Sequence, residues 1–297
     1  MKYIHGENIE IDHDLAITIG KFDGLHKGHI ALIAKLKEVA AVQGFASALL
    51  SFAPHPAAVL SGKDVPLILS PHEKFHLLSQ LKLDYYIEYP FTHQFAQIGP
   101  EYFIQNIVFQ QLRGRALIIG ENFRFGRGGL GDVALAKGLG ADLGLYMHTL
   151  PLVTDDSVQV SAEGIRRLIA DKDFRGVRQA CGRDFFLMGD VVHGKKKGRE
   201  MGFPTANIIP PESKLLPPVG VYHTTTFMEN IGYNSITNVN EGISETHLLD
   251  FRGDLYGRTI RIDFLRWMRD MRGFASYEEL SRQLEKDAAA RLTLRYL

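Results

Sequence analysis

A glycine-rich loop with two histidines lies near the start of the chain, and its residue types suit phosphate chemistry. The loop runs from Gly20 to His29 and reads Gly-Lys-Phe-Asp-Gly-Leu-His-Lys-Gly-His. Glycines let a backbone approach a ligand closely, and the amino end of a following helix offers N–H groups and a partial positive charge. The imidazoles of His26 and His29, three residues apart, can both face one anion. The loop therefore predicts a site that stabilises charge on a triphosphate.

A second segment with phosphate-binding character runs from Gly194 to Asn207. Its glycines and basic residues suit a loop that covers phosphates, although it lacks the Gly-Lys-Ser/Thr spacing of a Walker A loop. The neutral oxygens of Thr205 and Asn207 are ligands that a hard cation such as Mg²⁺ accepts. The run Lys195–Lys197 is interpreted as a solvated charged surface. This segment predicts a second, separate nucleotide site.

The elements around the first loop alternate between strands and helices. Leu15–Gly20 is a short apolar run typical of a buried strand. Ile30–Gly44 has a helical apolar stripe formed by Ile30, Ile33, Leu36 and Ala40, with Gly44 at the expected C-terminal cap. Further predicted elements are the strands Ala46–Phe52, Tyr85–Tyr89 and Ala116–Gly120 and the helix Ser70–Lys82. This alternation predicts an α/β domain with a parallel sheet, in which ligands bind at the carboxyl ends of the strands.

The later part of the chain has a different pattern. A helix over Ala162–Ala170 is expected to begin at the N-cap Ser161. The polar stretch 171–185 is predicted to be irregular, and we place the domain boundary near Gly182. Short β-rich segments then predict a small antiparallel barrel: Phe185–His193, Gly220–Phe227, Thr246–Phe251 and Thr259–Phe264. Ser276 and Glu279 fit a capping box, and the stripe of Leu280, Leu284 and Ala288 predicts a closing helix that packs on the barrel.

Composition narrows the class of protein. A length of 297 residues favours two domains. The chain has 34 basic and 34 acidic residues, and this balance argues against a nucleic acid or an acidic membrane as the main partner. The single cysteine, Cys181, excludes an intramolecular disulfide, and neither a signal peptide nor a membrane span is visible. We therefore expect a cytoplasmic protein that handles small molecules.

The first half resembles the adenylyltransferase domain of the bacterial bifunctional riboflavin kinase/FMN adenylyltransferase (FAD synthetase) family. The loop Gly20–His29 is similar to the G-x-F-D-G-x-H-x-G-H motif, which contains the H-x-G-H signature of nucleotidyltransferases. Ser51–Pro56, Gly120–Gly126 and Val160–Arg166 resemble further motifs of the family, in the same order. The resemblance implies a Rossmann-like nucleotidyltransferase domain over residues 1–182.

The resemblance also implies roles for residues of this domain. His26, His29 and Arg166 would stabilise charge during adenylyl transfer. The expected ATP-binding residues are Gly20, Phe22, Asp23, Gly24, Gly28 and Ser161. The expected flavin-binding residues are His55, Pro56, Asn122 and Arg124.

The second half resembles the riboflavin kinase domain of the same family. Gly194–Asn207 is similar to its G-x-x-x-G-R-x-x-G-x-P-T-A-N motif, and Glu245–Phe251 resembles its E-x-H-L-L-D-F strand. This implies a small antiparallel β-barrel domain with a closing helix over residues 183–297, in which Glu245 is the general base. Thr205 and Asn207 would hold Mg²⁺. The expected ATP-binding residues are Gly194, Gly198, Arg199, Gly202 and Pro204.

The resemblance predicts an enzyme that phosphorylates riboflavin with ATP and then joins the FMN product to AMP. Its partners would be ATP and flavins, with no nucleic acid and no membrane. The sequence departs from the family at 162–164, which read Ala-Glu-Gly, and after Val239, where only 240–244 precede Glu245. Two alternatives stay open: a nucleotidyltransferase with another acceptor, and a flavin-binding protein with one decayed site. The oligomeric state does not follow from the sequence.

Overall fold

A computed structural model describes residues 1–155, 158–193, 203–229 and 231–293. The contacts divide the chain into two compact units. The first unit comprises Met1–Val65 and Lys74–Ser161, and the second comprises Pro66–Glu73 and Ala162–Leu297. Each unit contains its own six-stranded sheet, whereas the sequence analysis predicts four strands in each half.

The first unit is built on a parallel sheet with the strand order β1-β4-β3-β2-β5-β6. Its strands are β1 (Lys2–His5), β2 (Leu15–Ile19), β3 (Ala46–Ala53), β4 (Tyr85–Pro90), β5 (Gly114–Gly120) and β6 (Tyr146–Leu150). The central strands are apolar along their length and almost fully buried, which is expected of a parallel sheet with both faces covered. The predicted α/β class with a parallel sheet is confirmed. Two short strands, β7 (Thr154–Asp155) and β8 (Val158–Gln159), pair with each other.

Helices connect these strands. α1 (Lys27–Gln43) ends where the sequence predicts, because Gly44 adopts the left-handed conformation (φ 71°) that closes a helix at low strain. Ile33, Leu36 and Ala40 of its predicted stripe are buried, whereas Ile30 is exposed. The other helices are α2 (Pro56–Ser61), α3 (Pro71–Gln80), α4 (Pro100–Tyr102), which continues as a π-helical segment over Phe103–Gln111, and α5 (Val133–Leu143).

The main part of the second unit begins with two helices, and the sequence analysis predicted only the first of them. α6 (Ala162–Ala170) has the predicted bounds. The stretch 171–185, predicted to be irregular, instead contains α7 (Phe174–Cys181). The Asp173 side chain accepts the N–H of Gly176 as a cap, and Phe174, Val177 and Cys181 are buried on one face. Polar composition hid this helix, because only a narrow stripe of an eight-residue helix has to be apolar.

The second unit contains an antiparallel sheet with the strand order β10-β13-β12-β11-β14-β9. Its strands are β9 (Phe185–Asp190), β10 (Ala206–Ile208), β11 (Gly220–Met228), β12 (Ile231–Asn240), β13 (Ile243–Leu248) and β14 (Thr259–Arg269). A bridge between Val192 and Asn207 joins the chain after β9 to β10, at the opposite edge of the strand order. The sheet is therefore curled, as the barrel class predicts.

Two details of this sheet differ from the sequence analysis. β12 was not predicted, because its residues 231–238 read Ile-Gly-Tyr-Asn-Ser-Ile-Thr-Asn and lack a continuous apolar run. The strand predicted at Thr246–Phe251 lies three residues earlier, at Ile243–Leu248. A two-residue turn, Glu241–Gly242, connects β12 to β13, so the short segment after Val239 forms a tight hairpin.

The closing helix is α8 (Tyr277–Thr293). The N–H of Glu279 donates to the Ser276 hydroxyl, and the N–H of Ala275 donates to the Glu279 carboxylate, so the predicted capping residues close the helix start. Arg291 is fully buried and donates to the Thr224 carbonyl and the Thr225 hydroxyl of β11. These bonds, together with the partly buried Ala288, which packs against the core of the sheet, attach α8 to the sheet as predicted.

In the parts of the chain that the structure describes, no helix is long and apolar enough to cross a bilayer.

A fully buried ion pair anchors the segment 66–73 within the second unit. The Lys214 ammonium lies 2.7 Å from the Glu73 carboxylate and also donates to the carbonyls of Ile68 and Phe186. Glu73 accepts the N–H groups of Ser70 and Met188. A buried charge is tolerated only when partners replace its water, and both charges here have several.

Acid is expected to destabilise the second unit through His223. This β11 side chain is buried, and burial together with the charges of Arg291 and Arg266 lowers its pKa to about 4. Below the unfolded value of 6.5, the unfolded chain binds a proton that the folded chain rejects, so stability falls as the pH drops from 6.5 towards 4. After allowance for partial solvation of the ring, we expect a loss of about 2 kcal/mol.

The fluorescence of Trp267, the single tryptophan and a β14 residue, reports this unfolding. Urea unfolding between pH 7 and pH 4 should show a weaker pH dependence in His223→Leu than in the wild type. His13→Leu, a change at an exposed ring, should keep the wild-type dependence. Equal slopes for His223→Leu and wild type would contradict this assignment.

Candidate active sites

The loop between β2 and α1 carries the two histidines of the first predicted site. Phe22 and Leu25 anchor this loop, because both side chains are almost fully buried. His26 precedes the first turn of α1, and His29 lies in that turn. The two imidazole rings stack with centroids 3.7 Å apart, and the Phe22 ring lies 4.9 Å from that of His29. The fold therefore holds two imidazoles side by side at the positive end of a 17-residue helix.

A cavity of about 560 Å³ opens beside this loop. Segments that follow β2, β3 and β5 line it, and β2 pairs with both of the other strands. Because the chain leaves β2 towards β3 and later returns to β5 on the other side, this edge is the switch point at which α/β sheets bind ligands. The predicted site residues that line the cavity are Gly20, Phe22, His29, Pro56, Asn122 and Arg124.

Aromatic side chains form much of the wall of this cavity. Phe52 and Phe91 make an edge-to-face contact with centroids 5.7 Å apart, and Phe123 stacks on Phe125 at 5.3 Å. Such a wall suits a flat aromatic ligand, which gains from stacked and edge-on contacts. Sequence analysis missed Phe91 and Phe95, which also line the cavity. They follow β4, so the rule that ligands bind at carboxyl ends of parallel strands could have found them.

Other predicted residues of the first unit support the loops. The Nδ1 atom of His55 accepts the N–H of Ala57 at 3.2 Å, so this histidine caps α2 next to the lining residue Pro56. Asp23 is 5% exposed, and Gly24 has a φ of 84° inside the histidine loop. Gly28 lies in α1 against the His26 ring.

Ser161 and Arg166, two further predicted nucleotide contacts, lie in different units of the chain. Ser161 is the last residue of the first unit, directly before α6. Arg166 lies in the second unit, where its Nε donates to the Pro66 carbonyl at 3.1 Å and its Nη1 lies 3.9 Å from the Glu163 carboxylate. Their roles in nucleotide binding stay predictions.

The second unit has two cavities that share one residue. One of about 580 Å³ is lined by Pro204, Thr205, Asn207, Leu248 and the segment 251–256. The other, of about 520 Å³, is lined by Phe203, Thr205, Asn238, Glu245, His247 and residues at the start of α8. Thr205 lies in both linings. A group held in one cavity can therefore meet a group held in the other at Thr205.

Strand register brings three polar side chains to one row of this sheet. Glu245 of β13 pairs with Asn207 of β10 on one side and with Asn238 of β12 on the other. Directly opposed residues on paired strands point to the same face. Sequence analysis missed Asn238, because β12 was not predicted. It also missed His247, although the strand period of two places His247 on the face of Glu245.

The donor set near Asn207 fits a hard cation. The Oδ1 atom of Asn207 is buried and has no hydrogen-bond partner among the described residues, although buried polar atoms are normally bonded. Asn207 and Thr205 line the same cavity. Within the described ranges, no group of three or more His, Cys, Asp or Glu is arranged to hold a metal. A cation here would therefore be bound by neutral oxygens, water and substrate phosphates, as Mg²⁺ often is.

Of the remaining predicted residues of this site, the structure describes Pro204 only. Pro204 lines the larger cavity, and its carbonyl accepts the Nδ1–H of His247 at 2.8 Å. Gly194, Gly198, Arg199 and Gly202 lie outside the described residues.

The fold and sites define a two-domain nucleotide-dependent transferase: a parallel sheet with a glycine-rich loop and two histidines at its switch point, followed by a curled antiparallel sheet with a carboxylate beside a buried amide oxygen. Comparison with known proteins agrees. The family model described as FAD synthetase matches residues 8–164, and the one described as riboflavin kinase matches residues 181–294. The chain belongs to the bifunctional riboflavin kinase/FMN adenylyltransferase family.

Individual relatives support this membership over more than nine-tenths of the chain. A protein of Escherichia coli strain K12 named bifunctional riboflavin kinase/FMN adenylyltransferase is 31% identical over 96% of this chain and 94% of its own length. One of Listeria monocytogenes with the same name is 33% identical over 93% of this chain and 91% of its own. A Streptococcus pneumoniae crystal structure described as a macrolide-efflux protein has a TM-score of 0.85 at 24% identity, over 99% of this chain and 100% of that one. At that identity the likeness concerns the fold alone.

Gly126 lies in the loop that follows β5, here called the β5 loop, and we expect it to be essential for the shape of the first cavity. Gly126 has a φ of 70°, and a Cβ built on it would lie 2.7 Å from the backbone of Pro100. Gly126→Ala should cost about 1–3 kcal/mol and displace Asn122 and Arg124. Thermal unfolding followed by circular dichroism, together with titration by FMN, measures both effects.

Gly138→Ala is the matched control, because Gly138 lies on an exposed part of α5 with open space around it. This change should raise stability by about 0.5–1 kcal/mol, since alanine favours a helix, and should leave FMN affinity unchanged. Equal stability and FMN affinity in Gly126→Ala and wild type would refute the proposed close approach.

Proposed function

We propose that the two units carry out successive steps of flavin cofactor synthesis, with kinase chemistry in residues 183–297 and adenylyl transfer in residues 1–182. The stacked pair His26 and His29, at the helix end beside the aromatic cavity, carries this proposal. Here a site that can stabilise phosphate charge lies beside an aromatic wall that suits a flat ring. Adenylyl transfer to FMN requires both, because it brings the phosphates of ATP to a flavin. A cytoplasmic location and the absence of a nucleic-acid partner remain predictions.

Adenylyl transfer requires little chemistry from the protein. A phosphate oxygen of FMN attacks the α-phosphorus of ATP in line, the bond from that phosphorus to the bridging oxygen breaks, and pyrophosphate leaves. Because no protein nucleophile is needed, positioning and charge stabilisation dominate. His26, His29 and the N–H groups of α1 supply the positive field. The backbone of Gly20, Phe22, Asp23, Gly24 and Gly28 surrounds the phosphates, with Ser161 and Arg166 as further predicted contacts.

The flavin of this step occupies the aromatic cavity. Phe52, Phe91, Phe95 and Phe123 offer ring faces and edges to the isoalloxazine. Asn122 and Arg124 add polar groups from the β5 loop, and Pro56 lies opposite on the segment capped by His55. The Arg124 side chain is 64% exposed, which leaves its guanidinium accessible to a phosphate.

Riboflavin phosphorylation takes place across Thr205. Glu245 accepts the proton of the riboflavin 5′-hydroxyl as that oxygen attacks the γ-phosphorus of ATP, and the bond to the β,γ-bridging oxygen breaks to release ADP. ATP occupies the larger cavity beside Pro204, and riboflavin occupies the one that contains Glu245. Thr205 and Asn207 hold Mg²⁺, which neutralises phosphate charge when bound. Gly194, Gly198, Arg199 and Gly202 remain predicted phosphate contacts.

The two activities should separate by mutation. In wild type, riboflavin, ATP and Mg²⁺ should yield FMN and then FAD, measured by separation of the flavins. His29→Ala should reduce FAD formation from FMN by about 10²–10³-fold and leave riboflavin phosphorylation unchanged. Glu245→Gln should reduce phosphorylation by about 10²–10⁴-fold and leave FAD formation from supplied FMN unchanged.

Two controls carry matched chemical changes away from the cavities. His13→Ala alters an exposed histidine, and Glu241→Gln alters an exposed glutamate in the turn before β13. Both should keep both activities. Wild-type protein that forms neither FMN nor FAD would refute the proposed function.

Asn207 should set the Mg²⁺ requirement of phosphorylation alone. Asn207→Leu removes the buried oxygen, which has no hydrogen-bond partner in the described parts of the chain, and keeps a side chain of similar branched shape. We expect the Mg²⁺ concentration for half-maximal phosphorylation to rise by about tenfold or more, because one of few protein ligands is lost. The Mg²⁺ dependence of FAD formation from FMN in the same preparation is the internal control. An unchanged requirement for phosphorylation would show that Asn207 does not bind the ion.

A further inference from the structure

A buried lysine lies beside the histidine loop, and no step above uses it. The side chain of Lys74, on α3, is 12% exposed. Its ammonium donates to the Ser51 hydroxyl at 3.1 Å and lies 3.5 Å from the Lys21 carbonyl oxygen. The Ser51 hydroxyl in turn donates to that carbonyl at 3.2 Å. Lysine, serine and carbonyl therefore form a closed triangle within the first unit.

The carbonyl in this triangle belongs to the peptide directly before a strained stretch of backbone. Phe22 has a φ of 51° and Leu25 a φ of 40°, and between them Gly24 has a φ of 84°. Residues other than glycine rarely adopt positive φ angles, so surrounding contacts must hold Phe22 and Leu25 in this conformation. His26 and His29 follow at once, and the direction of their rings depends on this backbone.

Two carboxylates also act on the charge of Lys74. Its ammonium lies 3.8 Å from the Glu88 carboxylate, and Asp23 of the histidine loop also attracts it. Glu88 accepts the hydroxyls of Tyr3 and Tyr86 at 2.7 and 2.8 Å, which orients its carboxylate. Burial lowers the pKa of Lys74, and the two carboxylates oppose that shift. A largely buried charge that contacts a hydroxyl, a carbonyl and an oriented carboxylate is able to hold those groups in place.

We propose that Lys74 is a positioning residue for adenylyl transfer: with Ser51 it holds the Lys21 carbonyl and thereby fixes the loop that aims His26 and His29. Lys74 does not line the aromatic cavity, and its nearest contact with the site is the loop, at the Lys21 carbonyl. This inference rests on the proposed function. It differs from a role in overall stability because its loss affects one reaction and one loop.

The test uses the full chain and compares Lys74→Met with Ser51→Ala and with the double variant. Lys74→Met should lower kcat for FAD formation by about 10²-fold with a much smaller change in KM for FMN, because misplaced groups act on the transition state. Ser51→Ala should lower kcat by about tenfold. The double variant should be no worse than Lys74→Met by more than about twofold, since both changes break one triangle. Lys74→Arg should recover part of the rate.

Two measurements separate positioning from unfolding. Riboflavin phosphorylation in the same samples should stay at the wild-type rate. Amide hydrogen exchange without ligands should quicken over residues 20–29 and stay unchanged in β3 and β4. The control is Lys37→Met, because the Lys37 ammonium also donates to a main-chain carbonyl, that of Leu81, but makes no contact with the loop. This variant should behave as wild type in every assay.

Three results would overturn the proposal. They are a wild-type kcat in Lys74→Met, a double variant whose loss is the product of the single losses, and exchange that quickens equally across the sheet. If Lys74→Met does not fold, Ser51→Ala decides, and a wild-type kcat there overturns the proposal. Absence of FAD formation in wild type would instead refute the proposed function, while the exchange measurement still tests whether Lys74 holds the loop.

Discussion

The chemistry of the first unit depends on β2 being hydrogen-bonded on both sides. Its neighbours are the parallel strands β3 and β5. From β2 the chain moves to β3 on one side, and it later reaches β5 on the other side. The loops that follow these strands therefore diverge at one edge and leave a cleft. The histidine loop, the segment at Pro56 and the β5 loop all face that cleft. A different strand order would separate the histidines from the aromatic wall without altering any motif.

The second unit presents different chemical groups at its cavities. Where the first unit offers a helix end and imidazoles, the second offers neutral oxygens, a carboxylate and room for a cation. Strand pairing aligns Asn207, Glu245 and Asn238 in one row. On the other face of β13, Thr246 belongs to a fully buried network of hydroxyls with Thr237, Thr224 and Ser235. Because these hydroxyls bond one another, the polar interior avoids the cost of unpaired buried groups.

Patterns with a local cause were predictable. The bounds of α6, the cap at Gly44 and the start of α8 at Ser276 follow from short-range hydrogen bonding, and the structure agrees with them. Features that depend on partners distant in sequence were missed. β12 has a mixed composition and is a strand because β11 and β13 flank it. α7 is polar along most of its length, and its narrow buried stripe becomes evident only when the core beside it is known.

The sequence by itself determined which chemical groups this protein has and that they fall into two separate groups of motifs, because motif residues close together in the chain share one loop or one strand. It determined the family for the same reason. Tertiary structure alone decided which groups meet: Phe91 with Phe52, Glu245 with Asn207, and Lys74 with the Lys21 carbonyl. Such pairs are separated by dozens of residues, and only strand order, register and helix packing bring them within reach. The number of residues between two side chains does not indicate the distance between them in the folded protein.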